Sequence, residues 1–335
     1  MSVPTNTDQT FTQANIREDL EDLIYNVDPF RTPILNMAKK GEAKQTFHEW
    51  DVDALAAQNT ANAAVQGDNP TNIQLTATGR MGNYTQISNK TIQLSGTLQA
   101  VVAAGGTNKM GYQLAKKAKE LKRDIEGVLT ANTAKSAGSS TVAAYSAGLP
   151  TFIATNDYKL TAGSPAGADP TGAGAYVTIG SANFYAGGQT RTDNSSTSAI
   201  TEANLKTVIQ SAYKNSGDCP EYLVVSPANK QLVSAFTGPS GGTRFTKVED
   251  KLLQTVVDTY ESDFGDVKVV PDIFLARSRD AYGLNPNYLR VDYLRPFQTI
   301  PLAKTGDSDQ KMLLCEYTLE VCNEHAHYAI YDTTG

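Results

Sequence analysis

The first candidate for chemistry is the stretch GPSGG at residues 238–242, which matches the G-x-S-x-G pattern of a nucleophilic serine. In that pattern a sharp turn between a strand and a helix exposes the serine hydroxyl. Here a helical pattern precedes Ser240 and a short polar stretch follows it. The sequence therefore favours a flexible loop, and we predict no catalytic residue.

The second candidate is a group of possible metal ligands near the end of the chain. His325 and His327 would lie on one face of a predicted strand, with Glu324 beside them. A zinc site needs further ligands at recognisable spacing, and none accompanies this pair. His48 is followed by Glu49 but lacks the second histidine of the H-E-x-x-H motif. We therefore predict no metal ligands and an ordinary strand end at 324–327.

Phosphate-binding chemistry has little support. The chain contains no G-x-x-x-x-G-K-[ST] motif. Gly105 and Gly106 precede a predicted helix, whose N-terminus could meet an anion, but a hinge between two elements is the favoured interpretation. We predict no cofactor.

The composition limits the class of protein. The 335 residues include 29 Lys plus Arg and 35 Asp plus Glu, which gives a net charge of −6. That balance disfavours a nucleic-acid-binding protein, which usually has an excess of basic residues on one face. No stretch approaches the ~20 apolar residues of a membrane span, and no secretory signal is visible. We expect a soluble protein made in the cytoplasm, with no membrane partner and with free thiols at Cys219, Cys315 and Cys322.

The first third of the chain predicts an arm and a long ribbon. Apolar residues recur at helical spacing over 16–27, and Pro29 and Pro33 end that helix. Over 44–97 charged residues are sparse, and apolar residues alternate with polar ones near Leu75 and Ile92. This pattern predicts the strands of a long polar β-hairpin. Such a ribbon buries little of itself, so it must lie across its own body or another subunit.

The strongest helical pattern covers residues 107–135. Its apolar residues recur at spacings of three and four and define one narrow face: Met110, Leu114, Ala118, Leu121, Ile125 and Val128. A helix of about 25 residues is roughly 38 Å long. Charged residues, Glu126 among them, fill the rest of its surface. Because carboxylates interleave with the lysines, a solvated face is favoured over an anion-binding patch.

The remainder predicts loops, then an α/β unit, then a β-hairpin. Residues 136–200 are rich in Gly, Ser, Thr and Ala and predict loops and short strands. The α/β unit consists of predicted helices over 202–215 and 227–236 and predicted strands over 222–225, 252–260 and 267–270. The last hairpin pairs 288–302 with a strand through Tyr317. That strand alternates apolar residues with Glu316, Thr318 and Glu320, which predicts one buried and one exposed face.

Five segments in this order carry a resemblance to a known family. They are HEWDVDAL from His48, NYTQISNKTIQLSGT from Asn83, ELKRDIEGVL from Glu120, ESDFGDVKVVPDIF from Glu261 and LRPFQTIPLAKTGD from Leu294. Together they resemble the major capsid (major head) proteins of tailed bacteriophages with the Hong Kong 97-type fold, over about residues 12 to 331. The resemblance implies an α+β fold.

The resemblance also implies a division of the chain. Residues 1–43 would be an N-terminal arm, and 44–95 an extended hairpin that overlaps an adjacent subunit. Residues 96–135 and 291–325 would form a peripheral domain with the long helix as its spine. Residues 136–290 and 326–335 would form an axial domain.

The function implied by the resemblance is that of an icosahedral shell subunit located in the virion and made in the host cytoplasm. The implied partners are copies of the chain in pentamers and hexamers, a separate scaffolding protein, a portal and possible decoration proteins. The shell would enclose double-stranded DNA without binding it specifically. The alternatives are another virion structural protein, an encapsulin-like compartment shell, and a hydrolase that uses Ser240.

Overall fold

The structure is a computed structural model that describes residues 29, 31–69, 75, 77–101, 109–160, 162–180, 182–236 and 258–335. The predicted arm helix, the GPSGG loop with Ser240 and the pair Gly105 and Gly106 lie outside these residues. None of the described helices combines the length and apolar character that a membrane-spanning helix requires.

The described helices are α1 (Pro33–Met37), α2 (Gly96–Ala100), α3 (Lys109–Thr130), α4 (Glu202–Ser216) and α5 (Pro227–Ser234). The strands of the first half are β1 (Lys39–Glu42), β2 (Phe47–Val52), β3 (Gly79–Tyr84), β4 (Gln86–Ser95), β5 (Asp157–Tyr158), β6 (Tyr176–Ile179) and β7 (Ala182–Tyr185). Those of the second half are β8 (Tyr222–Val225), β9 (Thr259–Ser262), β10 (Gly265–Pro271), β11 (Ala281–Leu284), β12 (Leu289–Pro301), β13 (Ser308–Val321) and β14 (Tyr328–Ile330).

A four-stranded sheet of order β1-β12-β13-β4 supports α3, which we call the spine helix. The predicted terminal hairpin is confirmed, because β12 and β13 pair antiparallel from Leu289↔Val321 to Pro301↔Lys311. Leu121, Ile125 and Leu129 of the spine helix are buried in the same apolar core as residues of β12 and β13. The apolar stripe of the helix therefore fixes its position on the sheet.

The spine helix is shorter at its C-terminal end than the pattern predicts. It ends at Thr130, whereas the prediction extended it to residue 135. The following backbone bonds to distant loops instead of continuing the helix: the N–H of Lys135 donates to Gly187 O (2.9 Å), and the N–H of Gly148 donates to Thr133 O (3.1 Å). A side chain at Gly148 would collide with the Ala131 carbonyl. Tertiary hydrogen bonds thus replace the last helical turn.

Both faces of β13 are covered, which corrects the prediction of a half-buried strand. Glu316, Thr318 and Glu320 are buried, like the apolar residues between them. The N-terminal segments lie over the expected solvent face: Thr85 donates from Oγ1 to Glu316 Oε1 (2.9 Å), and His48 meets Glu320. Hydrogen-bonding partners make burial of these polar side chains tolerable.

A second sheet has six strands, both parallel and antiparallel, in the order β5-β14-β11-β8-β10-β9, and it contacts α4 and α5. The predicted strand 222–225 is confirmed, and β9 begins at Thr259; residues 252–257 of that predicted strand lie outside the described residues. Helix α4 is capped at both ends. Thr201 Oγ1 accepts from the N–H of Asn204 (3.2 Å), and Gly217 adopts a φ of 79°, where its N–H reaches Tyr213 O (2.8 Å).

The ribbon, which we define as β2, β3 and the residues between them, has a shorter ladder than predicted. Six residue pairs connect its strands, from Phe47↔Tyr84 to Val52↔Gly79. The segment with Ile92 does form a strand, but this strand is β4, which pairs with β13 in the sheet of the spine helix. Leu75 lies outside any strand. The ribbon therefore consists of a short antiparallel ladder and a tip whose described residues form no strand.

Candidate functional site

The tip of the ribbon is an exposed segment of the described chain. Its described residues (53–69, 75, 77 and 78) are all exposed except Ala54, which is half-buried. Three large apolar side chains project from it: Leu55 is 99% exposed, Val65 77% and Leu75 91%. Single exposed apolar residues are ordinary, but several on one extended segment mark an interaction surface.

The root of the ribbon is anchored by a buried amide. Asn83 donates from Nδ2 to the carbonyl oxygen of Leu319 (2.8 Å) and to Ser146 Oγ (3.1 Å), and its Oδ1 accepts from the N–H of Ala147 (2.9 Å). Its side chain is fully buried. One residue thus joins the ribbon to β13 and to the loop at 146–147, and the tip extends from a fixed base.

A second anchor of the root is a lysine. Lys135 donates from Nζ to the carbonyl oxygen of Gly82 (2.6 Å), and its ammonium lies 5.6 Å from the ring centroid of Phe47. Burial lowers the pKa of Lys135, and the charge of Glu49 opposes that shift. Lys135 therefore contacts both strands of the ribbon root, β3 at Gly82 and β2 at Phe47.

The charged face of the spine helix, predicted to be solvated, carries two ion pairs, and one of its charged residues is buried. Lys117 pairs with Glu120 (2.7 Å), and Asp124 pairs with Lys90 of β4 (2.6 Å). Glu126, predicted to face solvent, is instead buried, and it accepts backbone hydrogen bonds from the start of α1.

Of the residues weighed as metal ligands near the C-terminus, His325 and Glu324 meet, with 3.5 Å between Nε2 and Oε1, but no third ligand joins them among the described residues. Residues 324–326 form a single 3-10 turn instead of the predicted strand. His325 stacks on Phe184 with ring centroids 4.7 Å apart, and His327 is buried and accepts at Nδ1 from the N–H of Asn285 (3.2 Å). Burial lowers the pKa of His327 to about 4 and raises that of Glu324 to about 8. These are packed, neutral side chains.

A different set of ligand-type residues does converge, at the ribbon root. His48 of β2 lies with its Nε2 3.1 Å from Asp292 Oδ2 of β12 and 3.0 Å from Glu320 Oε2 of β13. Burial raises the pKa of Asp292 to about 7, and the adjoining Glu320 carboxyl adds to that shift. Burial acts in the same direction on Glu320, but hydrogen bonds from Asp292, His48 and Cys322 outweigh it and lower its pKa.

Sequence reasoning missed this cluster, because no local spacing connects its members. His48 was weighed only against a motif that needs a histidine four positions from the first. Asp292 and Glu320 are joined to each other by strand pairing, and to His48 only because β2 lies over the sheet. The one available signal was the presence of carboxylates in a strand with an otherwise apolar core pattern.

Comparison with known proteins identifies the family of this chain. The family model of the SU10 major capsid protein matches residues 3–334. The chain belongs to this family. The resemblance found in the sequence is thereby confirmed over almost the whole chain.

One relative, the major capsid protein of Escherichia phage Phieco32, is 35% identical to this chain over 109 residues. The aligned part is 32% of this chain and 31% of that relative, so the match spans less than a third of the relative's length.

Two solved structures illustrate the fold. The cyanophage A-1(L) capsid asymmetric unit superposes with a TM-score of 0.64 at 16% identity and covers 98% of this chain and 100% of that one. The holo-SrpI encapsulin complex from Synechococcus elongatus gives 0.53 at 10% identity, over 96% and 92%. Likeness at such identities concerns the fold, and the α+β phage-capsid fold of the Hong Kong 97 type is confirmed.

Proposed function

We propose that this member of the family is the shell subunit of a phage head, which assembles as pentamers and hexamers into an icosahedral capsid around double-stranded DNA. The observation that carries the proposal is the ribbon tip. A segment with exposed Leu55, Val65 and Leu75 gains stability only when another surface covers it. Family membership supplies the class of that surface, a second copy of the chain.

The proposed division of labour follows the two sheets. Residues 1–43 act as the arm and 44–95 as the extended hairpin. Residues 96–135 and 291–325, which contain the spine helix and much of the four-stranded sheet, form the peripheral domain. Residues 136–290 and 326–335, with the six-stranded sheet, form the axial domain around the symmetry axes. Support comes from the second apolar core, which belongs to the six-stranded sheet and its helices, whereas the first core joins residues of both sheets.

The proposed role is structural, without catalysis or a cofactor. The chain is made in the host cytoplasm and resides in the virion. A separate scaffolding protein, a portal and decoration proteins are its proposed partners besides its own copies. Its acidic balance supports enclosure of DNA without specific binding, because each added phosphate contact would strengthen retention of the genome.

The test replaces the apolar side chains of the tip. The triple variant Leu55→Ser, Val65→Ser and Leu75→Ser removes about 2 kcal/mol of burial at each site where a neighbour covers the side chain. The matched control, Gln58→Ser, Thr60→Ser and Asn62→Ser, alters equally exposed polar residues of the same segment.

The yield of shells is measured by sedimentation and by negative-stain electron microscopy, with co-expressed scaffold. We expect at least a tenfold loss of shells for the apolar triple variant and wild-type yield for the control, with unchanged circular dichroism in both. Wild-type shell yield in the apolar variant would overturn the proposal.

A further inference from the structure

The cluster at the ribbon root has the donor set and the spacing of a metal site. Its ligand atoms are one imidazole nitrogen, from His48, and two carboxylate oxygens, from Asp292 and Glu320. With bonds of about 2.0–2.1 Å, the ligands of tetrahedral zinc stand roughly 3.3 Å from one another. The two measured edges, from Nε2 to Oδ2 and from Nε2 to Oε2, are 3.1 and 3.0 Å. The third edge, between the two carboxylate oxygens, is no longer than 4.8 Å.

Asp292 lacks the partners that a buried carboxylate requires. Its side chain is fully buried, and neither carboxylate oxygen accepts a hydrogen bond from the described residues. The single proton that His48 Nε2 can carry is directed to Glu320 Oε2. As a carboxylate, Asp292 thus receives no hydrogen bond, although His48 and Arg290 lie 3.1 and 3.7 Å away. A buried charge without hydrogen bonds is costly. A cation at this point would satisfy it.

The surrounding charges are compatible with a cation. Arg290 lies 3.7 Å from Asp292 Oδ1 and 3.8 Å from Glu320 Oε1, which are the oxygens that face away from His48. The guanidinium therefore holds the outer oxygens and leaves the inner pair to a metal, as outer ligand partners commonly do. Two carboxyl groups face one guanidinium, so an ion placed among them meets more negative than positive charge when both carboxyl groups are ionised.

Access to the cluster differs between the β1 side and the His48 side. On the β1 side Gly41 packs so closely that a side chain there would collide with Asp292 and Arg290. On the other side the His48 side chain is 19% exposed, which leaves a path for an ion and for a water ligand.

We propose that His48, Asp292 and Glu320 bind one divalent cation of the zinc class, with water as the fourth ligand. The ion joins β2 of the ribbon to β12 and β13 of the sheet, so it stiffens the root from which the tip extends. This site is independent of the proposed shell function, since it lies within one chain.

The binding test uses the full chain, treated with a chelator and exchanged into chelator-free buffer. Zinc is titrated by calorimetry, and bound metal is counted by elemental analysis. Co²⁺ serves as a second probe, because a tetrahedral site gives it intense visible absorption. We expect one metal per chain, at least a tenfold weaker affinity in His48→Gln and Asp292→Asn, and unchanged affinity in His325→Gln, the control at the other partly buried histidine.

Because a ligand variant can lose its fold, the wild-type chain carries an independent readout. Hydrogen exchange of the backbone of β2 should slow on addition of zinc, whereas that of α4 should not change. Fewer than about 0.1 metal per folded wild-type chain would overturn the site. Equal binding to Asp292→Asn, or equal displacement of zinc by Mg²⁺, would overturn the ligands or the metal class, respectively.

Discussion

Glu126 shows how a single buried side chain joins distant segments. Its Oε1 accepts from the N–H of Ile34 (2.7 Å) and its Oε2 from the N–H of Leu35 (2.8 Å), both in the first turn of α1. Those N–H groups have no partner within the helix, and α1 has no capping side chain of its own. Burial raises the pKa of Glu126 to about 8, although these two donors oppose the shift. A carboxyl of the spine helix thus takes the place of the missing cap.

We predict that Glu126→Ala lowers the free energy of unfolding by about 2 kcal/mol or more, because it leaves two buried N–H groups unpaired. The control is Glu120→Ala on the same helix, which removes only a partly exposed pair with Lys117 and should cost about 0.5 kcal/mol or less. Denaturant unfolding of the unassembled chain measures both. Equal losses would contradict the capping role of Glu126.

Glu324 predicts a pH effect of defined sign. Burial raises its pKa from 4.5 to about 8, although the Thr155 hydroxyl donates to its Oε1 (2.6 Å). Between these two pKa values the folded chain holds a proton that the unfolded chain releases. Its contribution to stability therefore falls as pH rises through this window.

Glu324→Gln mimics the neutral acid, so its stability relative to wild type should rise by about 1.4 kcal/mol per pH unit between pH 5 and 8. Thermal melts across that range measure the difference. Glu324→Ala, which also loses the acceptor for Thr155, should instead be less stable than Glu324→Gln at every pH. A difference between Gln and wild type that does not vary with pH would refute the neutral carboxyl.

The ribbon and the spine helix differ in how they depend on the body of the chain. Half of the spine helix is fixed by buried apolar side chains such as Leu121 and Ile125. The ribbon is fixed at its root, by its six-pair ladder, by the Asn83 amide and by Lys135. The part beyond Val52 and Gly79 therefore contributes little to the stability of its own subunit.

We predict that removal of residues 53–78, with Val52 joined to Gly79 through an Asn-Gly turn, leaves the chain folded but unable to form shells. The two-residue turn suits an antiparallel ladder, so β2 and β3 remain paired. Circular dichroism and melting temperature report the fold, and sedimentation velocity reports assembly. Loss of the folded state would show that the tip belongs to the core of its own subunit.

The net charge of the chain disfavours tight binding of nucleic acid. The net charge is −6, and two lysines of the spine region are paired with carboxylates, Lys90 with Asp124 (2.6 Å) and Lys117 with Glu120 (2.7 Å). Paired lysines release few counterions from DNA, so they add little affinity.

We predict no salt-resistant binding of double-stranded DNA by the unassembled chain. An electrophoretic mobility shift at about 150 mM salt, where the screening length is about 8 Å, should show free DNA only. The same titration at low salt controls for weak, nonspecific contact. A tight shift that survives 150 mM salt would contradict the proposal that the shell encloses DNA without binding it specifically.

Much of the local structure was determined by the sequence itself, because it depends on neighbours along the chain. The spacing of Leu205, Val208 and Ile209 predicts α4 within one residue of its observed end. The alternation around Tyr317 likewise predicts β13 and its antiparallel partner. Side-chain periodicity and capping act within a few residues, so they are readable without the fold.

The rest was decided by the tertiary structure, because its contacts join residues far apart in sequence. No residue beside Glu126 in the sequence indicates that it caps a helix 91 or 92 positions away. Likewise, no residue beside Glu320 indicates its contact with His48, 272 positions away. The pairing of β4 with β13 and the covering of the second face of β13 depend on the path of the chain in the same way. Burial and desolvation are properties of what lies across a surface, and the folded chain alone sets which segments lie there.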